Sequence, residues 1–395
     1  MANHLTGHLQ SASHRELSRD WDIIVVGAGV LGTFHAYFAS RRGLRTLLIE
    51  RGDLPGEASV RNFGTLVPSA MTPGLWLRRA NESILIYREL ARQAGFPLQS
   101  DGTQYLATTT AEFAVLEEFA RIGPAQGYEC RLLTPKESVS LNPAIESVNC
   151  LASLHFPNDA RVEPRGLLKT LIPWLTREAG CVYLPGTTVV GVAVEGGECL
   201  VRTASGARFS ARHVFVCNGA DLRTLFPERF AEAGLIRCKL QMLRTVPQRS
   251  VRLSATLASG LSIRWYPSFR ICSNWNRLQD EPVDPELTRR GIHVLIVQDP
   301  DGRVVIGDSH EYSTADLGDN LDAGTEALIL REAARLLHLP SWEVSERWHG
   351  VYCLHPETPL FEQTLDERIH LVSGIGGKGM TTAPAVARES LDGVC

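Results

Sequence analysis

The apolar positions of this chain fall into short continuous runs separated by stretches at helical spacing. From Asp22 the text DIIVVGAGVLGTFHAYFASRRGLRTLLIE opens with an unbroken run, Ile23 to Val26. Such a run fits a parallel strand covered on both faces. A helix follows, with Leu31, Ala36, Phe38 and Ala39 in periodic positions, and Gly43 ends it before a second buried strand, TLLIE. Leu75 to Ala94 places Leu77, Ile84, Tyr87 and Ala91 on one face, which predicts an amphipathic helix. TQYLATTT reads as a strand and AEFAVLEEFARIGPAQG as a helix. From Arg161 a turn with Pro164 leads into an apolar helix, Gly180, and strands around Val182 and Val189. A further strand, HVFVC, runs into Asn218-Gly219-Ala220. Between 235 and 312, LIRCKLQMLRT, GLSIRWYPS and HVLIVQDPDGRVVIGDSHEY read as strands, with a hairpin at Asp301-Gly302. IHLVSG is the last buried strand, and TTAPAVARESL opens a closing helix.

Length and composition narrow the class. A chain of 395 residues suits about two structural domains. Its 44% hydrophobic and 21% charged residues are those of an ordinary globular protein. A formal charge of −4 with no basic block argues against a nucleic-acid partner. No apolar run approaches the roughly 20 residues of a membrane span. The first 20 residues are polar and lack the apolar centre of a signal peptide, so they read as a flexible extension. Nine cysteines without CxxC pairs favour reduced thiols and a cytoplasmic location. The twelve histidines form no HExxH pattern, so no metal site is expected.

The candidate chemistry begins with Gly27-x-Gly29-x-x-Gly32 between the first strand and its helix. Gly27 permits the tight turn, Gly29 lets the backbone approach a pyrophosphate, and Gly32 lets helix and strand pack closely. The helix N-terminus, with Val30 and Leu31, offers N–H groups and a positive dipole end to phosphates. Glu50 ends the second strand, where its carboxylate can accept ribose hydroxyls, and Arg51 is counted with it. Strand, glycines, helix, strand and acid in this order predict dinucleotide binding.

After Glu50 the stretch RGDLPGEASVRNFGTLVPSAM does not continue as the next strand of an NAD domain. Here the chain resembles the D-amino-acid oxidase family of FAD enzymes. The resemblance implies FAD as cofactor and carries over Ser59, Arg61, Asn62 and Gly64 as contacts to the pyrophosphate or flavin. It also places Val189 beside the adenine and Asn218 and Gly219 at a turn beside the pyrophosphate. Its last contact would be the turn Gly374, Gly376, Gly377, Lys378, Gly379, Met380 and Thr381, at the pyrimidine edge of the flavin. The implied fold is α/β: an FAD-binding Rossmann-like domain (21–98, 155–234 and 335–395) with an inserted antiparallel-sheet substrate domain (99–154 and 235–334).

A helix N-terminus and a cation stabilise the negative charge that two-electron reduction brings to the flavin, and Lys378 is the natural cation. With it, His310 and Tyr352 are the catalytic candidates. Small zwitterions need a fixed cation for their anionic end. Arg264, Tyr266 and Arg270, with His349 and Tyr352, are the candidate substrate contacts, and Arg347 is a further arginine beside Trp348. Cys353 precedes Thr358-Pro359 at a distance similar to that of a covalent flavin cysteine in one branch of the family, but its surroundings match poorly, and non-covalent FAD is expected. Gly307-Asp308-Ser309-His310 is similar to a motif of flavin monooxygenases, although here it ends a strand of the antiparallel block. The implied activity is oxidation of the C–N bond of a small zwitterionic amine, with oxygen or another electron acceptor. IGDSHEY, RWHGVY and GIGGKGMT resemble a bacterial branch associated with aminophosphonate breakdown, which implies 2-aminoethylphosphonate or its N-methyl form, oxidised to phosphonoacetaldehyde. Glycine, sarcosine or a D-amino acid, a quinone-linked dehydrogenase, and a non-catalytic flavin-binding subunit stay open as alternatives.

Overall fold

A computed structural model describes residues 20–394; the predicted N-terminal extension lies outside them apart from its last residue. Strand Trp21–Val26 pairs in parallel with Thr46–Ile49 on one side and Arg208–Val216 on the other. Ile23 and Val25 point into one apolar cluster, with Phe34 and Phe215, while Ile24 and Val26 point into another, with Val201 and Phe209. Both faces of the strand are therefore buried, which explains its unbroken apolar text. The sheet has eight strands, its main path running Val189–Glu195, Glu198–Thr203, Arg208–Val216, Trp21–Val26, Thr46–Ile49, Val182–Leu184. Arg208–Val216 pairs antiparallel to Glu198–Thr203 over its earlier part, then parallel to Ile369–Ser373 over Val214 to Val216. That second pairing brings the C-terminal segment back beside the first strand.

Helix Val30–Arg41, helix Leu75–Ala94 and the closing helix Gly379–Asp392 pack together. Leu77, Ala80, Ile84, Tyr87 and Leu90 form the buried face of the long amphipathic helix, and Gly95 caps it in the left-handed region. Tyr87 donates to the Met380 carbonyl at 2.8 Å and Ser83 accepts from Ala385 N–H at 3.2 Å. These bonds clamp the first turns of the closing helix.

A second, mainly antiparallel sheet of nine strands carries Thr103–Ala107, Ala152–Phe156, Ile236–Thr245, Leu295–Gln298 and Val304–Gly307 among its members. The hairpin at Asp301-Gly302 is present, with Asp299 N–H donating to the Arg303 carbonyl at 2.8 Å. Two details differ from the sequence reading. Val344–Leu354, in the segment assigned to the FAD-binding part, instead pairs along the whole of Ile236–Thr245 in the second sheet. The stretch GLSIRWYPS forms a helix, Gly260–Trp265, and a 3-10 turn, Pro267–Ile271, rather than a strand. The buried residues of this helix are Gly260, Ser262 and Ile263, with Gly260 and Ile263 one helical turn apart. A small sheet of Thr65–Leu66, Ala160–Val162 and Leu98–Gln99 is a third element of the fold. No helix among the described residues is long and apolar enough to cross a membrane.

Candidate functional site

A single cavity of about 1110 Å³ is lined by residues of both large sheets. It exceeds the ~300–1,000 Å³ usual for one small ligand and suits a dinucleotide with a substrate beside it.

One part of the cavity is built by the strand–glycine–helix unit. Gly27 has φ of +96°, and a Cβ on Gly32 would run into the Gly27 carbonyl and stand 3.2 Å from Val25 Cγ1. Helix and strand can approach this closely because neither position carries a side chain. Glu50 accepts from Ala28 N–H at 2.9 Å and Gly52 N–H at 3.0 Å, which fixes its carboxylate at the cavity wall. Ser59 accepts from Val30 N–H at 2.9 Å, so its hydroxyl already marks an acceptor position at the helix N-terminus. Gly29, Val30, Leu31, Arg51, Val189 and Gly219 line the same part. Arg51 is held by Asp221 at 3.1 Å and Glu57 at 3.4 Å. Asn218 donates to the Asp221 carbonyl, while its side-chain oxygen is buried without a partner among the described residues. Gly32 and Gly64 lie behind the wall and not on it; Gly64 sits against the Val162 carbonyl and Pro164.

Arg61 and Asn62 line the cavity too. Arg61 donates to the Gly56 carbonyl at 2.6 Å and the His349 carbonyl at 3.3 Å, and Asn62 closes its own turn by accepting from Gly64 N–H at 2.6 Å. Both therefore shape the segment over the cavity. The C-terminal turn also lines it, with Gly374, Gly376, Gly377, Lys378, Gly379 and Met380. Lys378 Nζ donates to the Ile375 carbonyl at 3.3 Å and lies 6.0 Å from the centre of the Trp76 ring. Burial pushes its ammonium below the usual lysine range. Thr381, expected as a flavin contact, turns away: its hydroxyl accepts from Val67 N–H at 3.1 Å and donates to the Thr65 carbonyl at 3.5 Å. It ties the closing helix to the segment after Gly64. Cys353 lines the cavity but its thiol is bound to the Gly219 carbonyl and Ser373, both at 3.1 Å, and burial raises its pKa.

Tyr266, Tyr352 and His310 also line the cavity, with Trp265, His293, Asp308 and Tyr312. Burial, with the Cys238 thiol next in order, pushes the Tyr352 phenol well above its ordinary value. Burial depresses His310 to about 4, against the opposing effect of its bond to the Gly291 carbonyl. The expected arginines are absent from this wall. Arg264 donates to the carbonyl of Leu278 and, at 3.4 Å, of Glu281, securing the following helix. Arg270 lies 5.3 Å over the Trp275 ring. Both were placed by reading a strand where the chain is helical, which changes the direction each side chain takes. His349 does not line the cavity and faces Asp319 at 3.4 Å; Arg347 pairs with Glu326 at 2.5 Å. His293, Trp265 and Trp76 were missed, because nothing in their local sequence separates them from core residues.

A model of the family described as FAD dependent oxidoreductase (DAO) matches residues 22–392. The chain belongs to this family. The oxidoreductase is 24% identical over 388 residues to the glycine oxidase of Bacillus licheniformis, covering 95% of this chain and 93% of that protein. Its fold is similar to that of glycine oxidase from Geobacillus kaustophilus, with a TM-score of 0.75, 19% identity and 95% of each chain covered. It is equally similar in fold to L-alpha-glycerophosphate oxidase from Mycoplasma pneumoniae with FAD bound, with a TM-score of 0.75, 17% identity and 94% of each chain covered. FAD is the cofactor of this family, and the glycine cradle, the orphaned Asn218 oxygen and the dimensions of the cavity fit it.

Proposed function

We propose that this oxidoreductase oxidises the C–N bond of a small zwitterionic amine, with 2-aminoethylphosphonate or its N-methyl form as the lead substrate. The observation that carries the reading is the continuity of the cavity. Its wall includes the N-terminal end of helix Val30–Arg41, the half-buried Lys378, and Trp265, Tyr266, Tyr312 and Tyr352. The near full-length similarity to glycine oxidase supports amine chemistry. The phosphonate rests on the likeness of IGDSHEY, RWHGVY and GIGGKGMT to an aminophosphonate-degrading branch.

Bound FAD supplies the two-electron acceptor. The chain's residues hold the substrate, exclude water and place charge. Gly29, Val30 and Ser59 would receive the pyrophosphate and Glu50 the ribose, while Arg61 and Asn62 hold the segment covering the middle. Lys378 and the N-terminus of helix Gly379–Asp392 put positive charge beside the turn at Gly376, where negative charge develops on reduction. The aromatic wall aligns the neutral amine so that its α C–H bond points at the acceptor. Loss of hydride leaves an imine, which water converts to an aldehyde and ammonia or methylamine. No dedicated base is required, and the electron acceptor that restores the enzyme is oxygen or another oxidant. Cys353 is engaged by backbone and hydroxyl partners, which favours a non-covalent flavin.

Anaerobic titration of the flavin absorbance tests the reading. Bleaching by 2-aminoethylphosphonate and its N-methyl form, but not by glycine or sarcosine, is the expected result. Bleaching by glycine or sarcosine alone keeps amine oxidation and discards the phosphonate. A yellow protein that none of the four bleaches would refute the substrate class. Peroxide formation in air then separates oxidase from dehydrogenase.

A further inference from the structure

The cavity wall holds three buried side chains that face one another, each able to offer a lone pair. His293, Asp308 and His310 are 3%, 6% and 7% exposed, and one ligand atom from each lies within 4.8 Å of the others. The antiparallel pair Leu295–Gln298 and Val304–Gly307 brings them together. Asp308 N–H donates to the His293 carbonyl at 3.0 Å, and His310 N–H to the Arg290 carbonyl at 2.9 Å.

The hydrogen bond of His310 fixes which of its ring nitrogens carries hydrogen. His310 Nδ1 lies 2.8 Å from the Gly291 carbonyl, which can only accept, so Nδ1 bears the hydrogen and Nε2 a lone pair. His293 Nδ1 lies 3.2 Å from Ser262 Oγ, and that hydroxyl gives its own hydrogen to the Val294 carbonyl at 3.2 Å. In the tautomer with hydrogen on Nδ1, Ser262 accepts it and His293 presents a lone pair at Nε2. The third member, Asp308 Oδ1, stands 3.5 Å from His293 Nε2 and has no hydrogen-bond partner among the described residues. In that tautomer the two imidazoles and the carboxylate can offer one lone pair each, and each ring is held from behind by a hydrogen bond. Fixing of this kind is how proteins orient metal-ligating histidines. Buried acceptors without a positive partner are costly, and a cation at their centre satisfies all three.

We propose that His293, Asp308 and His310 bind a divalent first-row transition ion, whose open positions face the cavity and take an oxygen of the substrate's anionic group. Two imidazoles and one carboxylate suit Zn²⁺, Fe²⁺ or Mn²⁺ and leave coordination positions unfilled. The anionic role rests on the function proposed above and answers a specific lack. The four arginines lining the cavity are engaged elsewhere: Arg51 with Asp221 and Glu57, Arg61 with the Gly56 and His349 carbonyls, Arg223 with Asp316, Arg237 with the Ala220 carbonyl. The spacing of the histidines concealed the cluster, because its members come from the two ends of a hairpin and not from one helix.

The test uses full-length, FAD-loaded protein stripped with EDTA and then titrated with Zn²⁺ by calorimetry, with metal content measured after desalting. Retention of about one Zn²⁺ per chain is expected, with affinity at least tenfold weaker in His293→Gln, Asp308→Asn and His310→Gln. The exposed His338→Gln serves as control and should bind as wild type. Variants that keep their yellow colour and unfolding midpoint report on the site and not on folding. No retention, or equal retention in His310→Gln and His338→Gln, overturns the metal site. Methylphosphonate binding is then compared in zinc-loaded and stripped protein; at least tenfold tighter binding with zinc is expected, and equal binding overturns the anion role. Zinc binding in a protein that no amine bleaches would refute the proposed substrate and leave the metal site standing. Amine bleaching without zinc binding would do the reverse.

Discussion

Replacing Asp299 by alanine would remove a carboxylate that two arginines share. Its Oδ1 accepts from Arg161 at 2.5 Å and its Oδ2 from Arg244 at 3.2 Å, and Arg161 is only 5% exposed. Arg244 also pairs with Glu346, which pairs in turn with Arg165 at 2.6 Å. The chain of charges thus joins helix Pro164–Glu178 to three segments of the second sheet. Removing one partner of a buried ion pair costs about 3–5 kcal/mol, mostly for the charge left behind. Arg161 keeps the carbonyls of Phe63 at 2.9 Å and Gln298 at 3.0 Å, and Arg244 keeps Glu346. The expected loss is therefore at the lower end, about 3 kcal/mol, measured by equilibrium urea unfolding of FAD-loaded protein. Asp299→Asn keeps the shape and one acceptor, so its loss should be smaller. A loss below about 1 kcal/mol, the size of a surface pair, would refute the claim that this network joins the two parts of the molecule.

Three further outcomes follow from particular residues. Gly32→Ala places a Cβ against the Gly27 carbonyl, and overpacking of about 1–3 kcal/mol should weaken FAD binding roughly 5- to 150-fold by fluorescence titration; unchanged affinity would show that the close approach does not matter. Asp159 is 1% exposed, and burial raises its carboxyl to about 7 from the ordinary 3.8, against the opposing bonds from Ser69. Between those values the unfolded chain releases the proton and the folded one keeps it, so stability is full below about pH 4 and falls as pH rises toward about 7, in total on the order of 4 kcal/mol. Asp159→Asn should flatten that slope in urea unfolding across the window, and parallel slopes would contradict the assignment. Acid precipitation of wild type should release all the flavin into the supernatant, because the Cys353 thiol is engaged by Gly219 and Ser373; colour retained in the pellet would mean a covalent link.

Much of the cofactor end was legible in the sequence because its determinants are local. Gly27, Gly29, Gly32 and Glu50 are separated by one strand and one helix, and their order alone dictates a tight turn, a close packing and an acid at the strand end. The C-terminal turn was legible for the same reason: consecutive glycines, a lysine and a helix start report their own geometry. The substrate end was not. GLSIRWYPS reads as a strand, while in the fold it is a helix that buries Gly260, Ser262 and Ile263 and turns Arg264 onto Leu278. Thr381 reads as part of a flavin turn, yet the hydroxyl is claimed by Val67, 314 positions away. The pairing of Val344–Leu354 with Ile236–Thr245 carries Tyr352 to the cavity, and hairpin pairing brings His293 to Asp308 and His310. Periodicity and motif spacing determine which face a residue takes within its own element. Which elements meet, and so which side chains confront one another, is decided by long-range strand pairing and burial that no local window contains.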